Sequence, residues 1–456
     1  MTEVMTRLIG FIMEENKEIN FPAPAVAWTT LAILFLAYIS SFVDRMIIGL
    51  LVEPIKADFQ ISDTQVSLLL GLSFAIFYCL VALPIGRLVD IWSRKKIVTV
   101  GITLWSFMTA LCGLAQSYTQ LFLARIGVGV GEASLAPAAY SMLADSFPPK
   151  KLGLAMGIFN MGTAVGAGLA LIIGGAIISF VTGESDGNIS LFGISFLSGW
   201  QWVFVLVGLP GLFIALLTSL IREPDRIIIE EKKKLYGDAS IPIAEVKRFF
   251  KRNVDFYIPH HLAVGCSNLA LVGINSWVSV YFMRIHGWTI SEAGFNIGIA
   301  LILGGALGLI IGGWLSDKIS VHINGGKAVF CLICAVLAIP FSALFATEEN
   351  AFNALIFFAL SYSFMVAPIA PAAAMLQEIT PNRMRGILSA FYLLIISLIG
   401  LAFGATIVAL LNDVFFGGDT GIQQALLISI PSFNLLAAIF YFALIKPYSV
   451  RCAQRI

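Results

Sequence analysis

Along this chain apolar residues do not alternate with polar ones. They run in blocks separated by short polar stretches, and the blocks have the length of roughly 20 residues that a helix needs to cross a bilayer. Twelve blocks are legible, at about 25–53, 63–88, 97–115, 119–146, 151–180, 200–221, 256–284, 290–316, 327–346, 351–378, 384–411 and 421–446. Several are parted only by a polar turn, such as Ala115–Gln120 or Thr347–Asn350. The pattern predicts an all-α membrane protein with twelve transmembrane helices. Met1–Asn20 holds four glutamates against one arginine and one lysine, with no small-residue cleavage site after a short apolar core. It reads as a tail and not as a signal peptide.

Composition agrees. The chain is 59% apolar and 12% charged, against about 45–50% and about 25% for a soluble domain, so it carries too few charges to coat a water-facing surface. A net charge of +1 leaves no basic field for nucleic acid. Cys331 and Cys334 sit inside an apolar run and read as packing residues. No Walker sequence, nucleophile motif or metal-ligand spacing occurs, so no enzyme activity, cofactor, metal or catalytic residue is expected. His260 and His261 open the seventh block and are expected to be solvated at the membrane face. Of the basic residues, only Lys56 and Arg284 fall on the side opposite the termini, while Arg45 and Arg125 lie inside spans. That asymmetry places both termini in the cytoplasm.

The only long polar segment, Arg222–Arg252, divides the blocks six and six. The boundaries expected are a tail at 1–24, a six-helix bundle at 25–222, a basic linker at 223–254, a second bundle at 255–446 and a tail at 447–456. Gly86-Arg-Leu-Val-Asp90 after the second block matches Gly313-Trp-Leu-Ser-Asp317 after the eighth, 227 residues later. Asp145-x-x-Pro148-x-Lys150-x-x-Gly153 matches Glu378-x-x-Pro381-x-Arg383-x-x-Gly386, 233 residues later. Two matches in corresponding loops indicate a duplicated six-helix unit, and paired halves with a site between them describe alternating-access carriers. The run from Gly86 through Asp90 to Arg94, Lys95 and Lys96 resembles the loop motif of the major facilitator superfamily, with Ile91 and Ser93 departing from it. Gly86 would let its helix approach another closely. Asp90 would accept from the free amides that start the eleventh helix, and Asp317 from those that start the fifth. Such contacts would hold the cytoplasmic gate shut.

Four ionisable residues lie deep inside spans: Asp44, Arg45, Arg125 and Glu132. Each costs about 2.5–3.5 kcal/mol at the bilayer centre on insertion scales, and a purely structural network is a poor reason to keep them. Arg125 and Glu132 share a helix face, whereas the adjacent Asp44 and Arg45 diverge by about 100°. Burial and a nearby arginine pull a carboxylate's proton affinity in opposite directions. Asp44 and Glu132 are therefore the proton-coupling candidates, with Arg45 and Arg125 as their partners or as ligands for an anionic group. Ser134, Tyr140, Asn160 and Thr163 in one half, and Ser267, Asn268, Asn275, Trp277, Tyr281, Tyr362 and Ser363 in the other, are polar positions within apolar spans.

Phe42-Val-Asp44-Arg45, Leu123-Ala-Arg125 through Gly131-Glu132-Ala-Ser134, Gly199-Trp-Gln-Trp, Leu209-Pro-Gly211 and Arg222-Glu-Pro224 resemble the Spinster branch of that superfamily. The resemblance implies a proton-linked carrier of lysophospholipid-like or sphingoid-phosphate-like amphiphiles, with Ser134 and Asn160 lining its cavity. The same four charges also resemble the sugar-acid:proton symporters, and a drug or amphiphile efflux carrier is the remaining alternative. The expectation is a multi-pass protein of the inner (plasma) membrane, a monomer, whose partners are protons, the bilayer and a lipid or organic-anion substrate.

Overall fold

The computed structural model describes residues 21–182, 197–226, 243–381, 384–418 and 420–453. The terminal tail, most of the central linker and the side chain of Asp90 lie outside the described residues. Among those described, twelve helices are long and apolar enough to cross a membrane: α1 (Pro24–Leu50), α2 (Asp63–Val89), α3 (Arg94–Cys112), α4 (Tyr118–Ser146), α5 (Lys151–Val181), α6 (Gly199–Leu220), α7 (Val254–His286), α8 (Ile290–His322), α9 (Gly326–Thr347), α10 (Ala351–Ile379), α11 (Ile387–Phe416) and α12 (Gly421–Ala453). They coincide with the twelve blocks of the sequence. Local chemistry sets several ends. Pro24 occupies the first turn of α1, and capping boxes Ser62/Gln65 and Thr289/Glu292 start α2 and α8. Gly287, at φ +67°, closes α7 in the left-handed conformation. A short helix, Ile243–Arg252, precedes α7. Large apolar side chains such as Phe180, Leu220, Ile310 and Phe442 point outward, which suits acyl chains and not water.

The internal duplication appears as paired ion contacts. Arg94, first in α3, binds Asp145 near the end of α4, and Lys327 at the start of α9 binds Glu378 near the end of α10. Each partner of the second pair lies 233 residues after its equivalent, the offset of the Asp145 and Glu378 motifs. Both α4 and α10 also break once, at Ala133–Ser134 and at Ala367–Pro368.

The halves meet at the face opposite the chain ends. A Cβ added to Gly168 of α5 would come within 2.4 Å of the Gly298 carbonyl oxygen on α8, and one on Gly71 of α2 within 2.1 Å of the Leu401 carbonyl oxygen on α11. At the face of the chain ends, Gly86, Gly153, Gly157 and Gly313 have no such neighbour within 4 Å. One face is closed and the other open. The expected close approach of Gly86 is therefore absent here. Asp317 does not dock on the start of α5: its side chain is 75% exposed, with Lys327 3.8 Å away.

Candidate functional site

Both charged segments sit where a helix loses regular geometry. After Asp44 and Arg45, α1 tightens to 3₁₀ pitch over Ile47–Leu50, and α4 breaks at Ala133, one residue after Glu132. Irregular turns of this kind release backbone groups and recur at functional sites. Arg45 Nη2 lies 2.5 Å from Glu132 Oε2, which also accepts from Ser41 Oγ at 2.7 Å. Arg125 turns the other way and donates from Nη1 to the Asp44 backbone carbonyl at 3.0 Å. Asp44 and Arg45 thus diverge as their adjacency predicts, whereas Arg125 and Glu132 serve different partners.

Satisfaction of this cluster is incomplete. Asp44 Oδ1 and Oδ2, Arg45 Nε, Arg125 Nε and Nη2, and Glu132 Oε1 are buried without a hydrogen-bond partner. Trp105 Nε1 and Thr109 Oγ1 of α3, both unpartnered, lie beside the Asp44 carboxyl. Asp44 and Arg125 are fully buried and Glu132 nearly so, while the Arg45 side chain keeps 12% exposure. Arg45 is therefore the member of the cluster that reaches open space. Its guanidinium stands over the rings of Phe74, Phe42 and Tyr78 at 4.4, 4.8 and 5.3 Å, which hold a cation without neutralising it. In the sequence Phe42 stands out only within a resemblance, and Ser41, Phe74 and Tyr78 do not stand out; the last two lie on α2, and no local spacing around Asp44-Arg45 points to them.

The remaining positions divide. Asn160 accepts from Tyr140 Oη at 2.7 Å and donates to Met156 O at 2.8 Å, half-buried between α4 and α5. Asn275 is half-buried with Oδ1 unpartnered, and Tyr362 lies beside it, packed on Gly304 and Gly305. Ser134, Trp277 and Tyr281 are corrections. Ser134 is buried, bonded to Gly131 O and wedged against Gly101. Trp277 donates to Ala405 O at 2.9 Å and Tyr281 to Phe345 O at 2.9 Å, both fully buried. Trp277 and Tyr281 fasten α7 to α11 and α9, whereas Ser134 bonds within α4 at its break and packs on α3. Polarity within a span marks helix–helix hydrogen bonds as readily as a cavity wall.

Arg94 likewise works inside its own half. Buried, it donates to Ser141, Asp145, Pro224 and Glu223 and ties the start of α3 to the ends of α4 and α6; Lys95 beside it is half-exposed. Burial alone would raise the Glu223 carboxyl, but the Ser93 hydroxyl and the Arg94 amide and guanidinium hold it below the usual glutamate range. His260 and His261 are also corrections, being buried and not solvated. α7 begins at Val254, so the pair lies almost two turns inside it. His260 Nε2 donates to Ala372 O and His261 Nδ1 to Tyr257 O, at 2.8 and 2.6 Å.

At the closed face the sequence named Lys56 and Arg284 but not their common partner. Asp63, at the start of α2, accepts from Arg284 Nη1 and Nη2 at 2.7 and 2.8 Å, from Asn412 at 2.7 Å, and from Lys56. Arg284 Nε also reaches Glu53 at 2.8 Å. This cluster joins α2 and the short helix Val52–Phe59 that precedes it to α7 and α11.

Comparison with known proteins places this arrangement. A solved structure of a bacterial homologue of the human lysosomal transporter Spinster, inward-facing and unoccupied, superposes with a TM-score of 0.76 at 28% identity, covering 95% of this chain and 98% of that one. An MFS-type efflux pump of Mycolicibacterium smegmatis is 26% identical over 424 residues, 92% of each chain. A probable L-galactonate transporter of Escherichia coli is 24% identical over 340 residues, 68% of each. The family model of the Major Facilitator Superfamily matches residues 34–405, and with twelve spans in two duplicated halves around a buried charge cluster the chain belongs to that superfamily of multi-pass membrane transporters.

Proposed function

We propose that this transporter couples proton movement to the passage of an anionic amphiphile, of the lysophospholipid or sphingoid-phosphate kind, by alternating access. The observation that carries the reading is Arg45: it alone of the four buried charges reaches open space, while it is already bound to Glu132. An incoming anion competes with Glu132 for the guanidinium. A carboxylate released into a buried site without its cation takes a proton instead of staying charged. Binding of anion and proton are then linked without a moving part beyond the Arg45 side chain. Asp44, its carboxyl oxygens unpartnered between Arg125, Trp105 and Thr109, is the second proton site.

The basic asymmetry of the loops supports cytoplasmic chain ends; in a plasma (inner) membrane the open face is then the inward one. All four charges come from one chain, which suits a monomer. A second reading, symport of a small organic anion such as a sugar acid, is favoured by the likeness to the L-galactonate transporter.

The test is the purified protein in vesicles with a trapped pH dye, given lysophospholipid and then a sugar acid, with Asp44→Asn as control. Proton movement with the lipid, absent in the folded Asp44→Asn protein, is expected. Movement with the sugar acid alone transfers the chain to the second reading. Unchanged proton flux in Asp44→Asn removes Asp44 from the coupling.

A further inference from the structure

A second site lies in the other half of the molecule, away from the charge cluster. A partly open cavity of about 150 Å³ lies between α7, α10, α11 and α12, and its polar lining is Ser267, Asn268, Tyr392, Ser397 and Tyr441, with Pro368 and apolar side chains between them. No carboxylate, amine, guanidinium or imidazole is among its lining residues. Two of its walls, α7 and α11, also touch the other half, α7 at the end of α1 and α11 along α2.

The lining is built for hydrogen bonding and is not self-satisfied. Tyr441 is fully buried, yet its hydroxyl has no hydrogen-bond partner and lies beside Ser267 without a bond of ordinary geometry. A buried phenol left unpaired costs free energy that a ligand can return. Asn268 donates its amide to Ile396 O at 2.8 Å, which leaves its carbonyl oxygen free to accept. Serine hydroxyls act in both directions. The cavity therefore offers donors and acceptors side by side, with no net charge. A cavity of about this volume holds a group of about six heavy atoms, the size of a glyceryl unit or of part of a polyol chain.

We propose that this cavity is a subsite for an uncharged, hydroxyl-bearing portion of the cargo, so that the substrate class is a hydroxylated organic anion: Arg45 holds the anionic group and the Tyr441 cavity the hydroxyls. The proposal rests on the reading of Arg45 as the anion ligand. Hydroxyls beside an anionic group occur both in a glycerol headgroup and in a free sugar acid, and the experiment separates the two.

Isothermal titration of the full-length purified protein is carried out with two pairs of equal charge: lysophosphatidylglycerol against lysophosphatidylpropanol of the same acyl chain, and gluconate against hexanoate. The hydroxylated member of at least one pair is expected to bind more tightly. Tyr441→Phe should shrink that preference about fivefold, as expected for one lost neutral hydrogen bond, and leave the plain anion unchanged. Because the hydroxyl has no partner, its removal should not lower Tm, and Ser397→Ala repeats the test at a second wall of the cavity. The responding pair identifies the source of the hydroxyls. If both variants keep the wild-type preference, or if wild type binds both members of each pair equally, the cavity assignment falls and the anion-carrier reading stands. If wild type binds no member of either pair, that reading falls and the subsite with it.

Discussion

Arg45 shows why a single alanine is a poor probe of a buried charge. It is the cation bound to Glu132, and without it Glu132 keeps only the Ser41 hydroxyl. Removing one partner of a buried pair costs about 3–5 kcal/mol, chiefly through the charge left behind. Arg45→Ala should therefore lower Tm whether or not Arg45 touches cargo. The double variant Arg45→Ala/Glu132→Gln removes both charges and should recover most of that Tm, while anion binding measured by calorimetry stays lost. Normal anion binding in the double variant would reduce Arg45 to a counter-charge. The sequence revealed all four charges, because ionisable residues stand out in apolar spans, and helical geometry foretold that Asp44 and Arg45 diverge. It did not reveal that Arg125 binds the Asp44 carbonyl and not a carboxylate. That contact depends on where α1 changes pitch, and hydrophobic periodicity carries no mark of a 3₁₀ turn.

Among the helices, the spans themselves were legible because their length and apolarity are set by the bilayer. The two halves were legible because two loop motifs repeat at nearly one offset, 227 and 233 residues, and the ion pairs Arg94–Asp145 and Lys327–Glu378 repeat at the second of these. α5 and α8 carry glycine-rich runs, Gly157–Gly175 and Gly298–Gly313, that allow close packing, and only part of each packs here. Gly168 and Gly298 abut through backbone, whereas Gly157 and Gly313 face open space. A run of small residues states that helices can approach; which end does so depends on the conformation. Gly168→Val puts a side chain against the Gly298 carbonyl oxygen, which lies 2.4 Å from the ideal Cβ and belongs to a helix backbone that cannot swing aside. Overpacking of this kind costs about 1–3 kcal/mol, here charged against the closed face. A cysteine at Ser291, which packs against Gly175 of α5, should be labelled faster by a membrane-impermeant thiol reagent in that background. Equal labelling rates would mean that α5 and α8 absorb the side chain without parting.

For the molecule as a whole, the question is what holds one face shut while the other stands open. The sequence contained a signal that was used only for topology: Lys56 and Arg284 are the two basic residues on the side opposite the termini. Both converge on Asp63, which Asn412 also contacts. The convergence was not legible, because Asp63 and Arg284 are separated by 221 positions and come from different halves. Thr64 adds two bonds to Asp413, at 2.7 and 2.6 Å, and the cluster spans the closed face. The Asp63 carboxyl is buried there, so its hydrogen bonds are poorly screened and belong to this conformation. Arg284→Gln loses the two charged bonds to Asp63. At about 1.5 kcal/mol each, that is about 3 kcal/mol, or roughly a hundredfold in the ratio of the two conformations. Gly153 of α5 and Gly313 of α8 have no neighbour within 4 Å of a Cβ, so both accept a spin label without crowding. The distance between labels at these positions should shorten in Arg284→Gln, which also loses the contact with Glu53, as the chain-end face closes, and likewise in Asp63→Asn, which weakens the contacts with Arg284 and Lys56 together. A distance distribution that stays at its wild-type value in both variants would mean that the close packing of α5 on α8 and of α2 on α11 holds the closed face without this charge cluster.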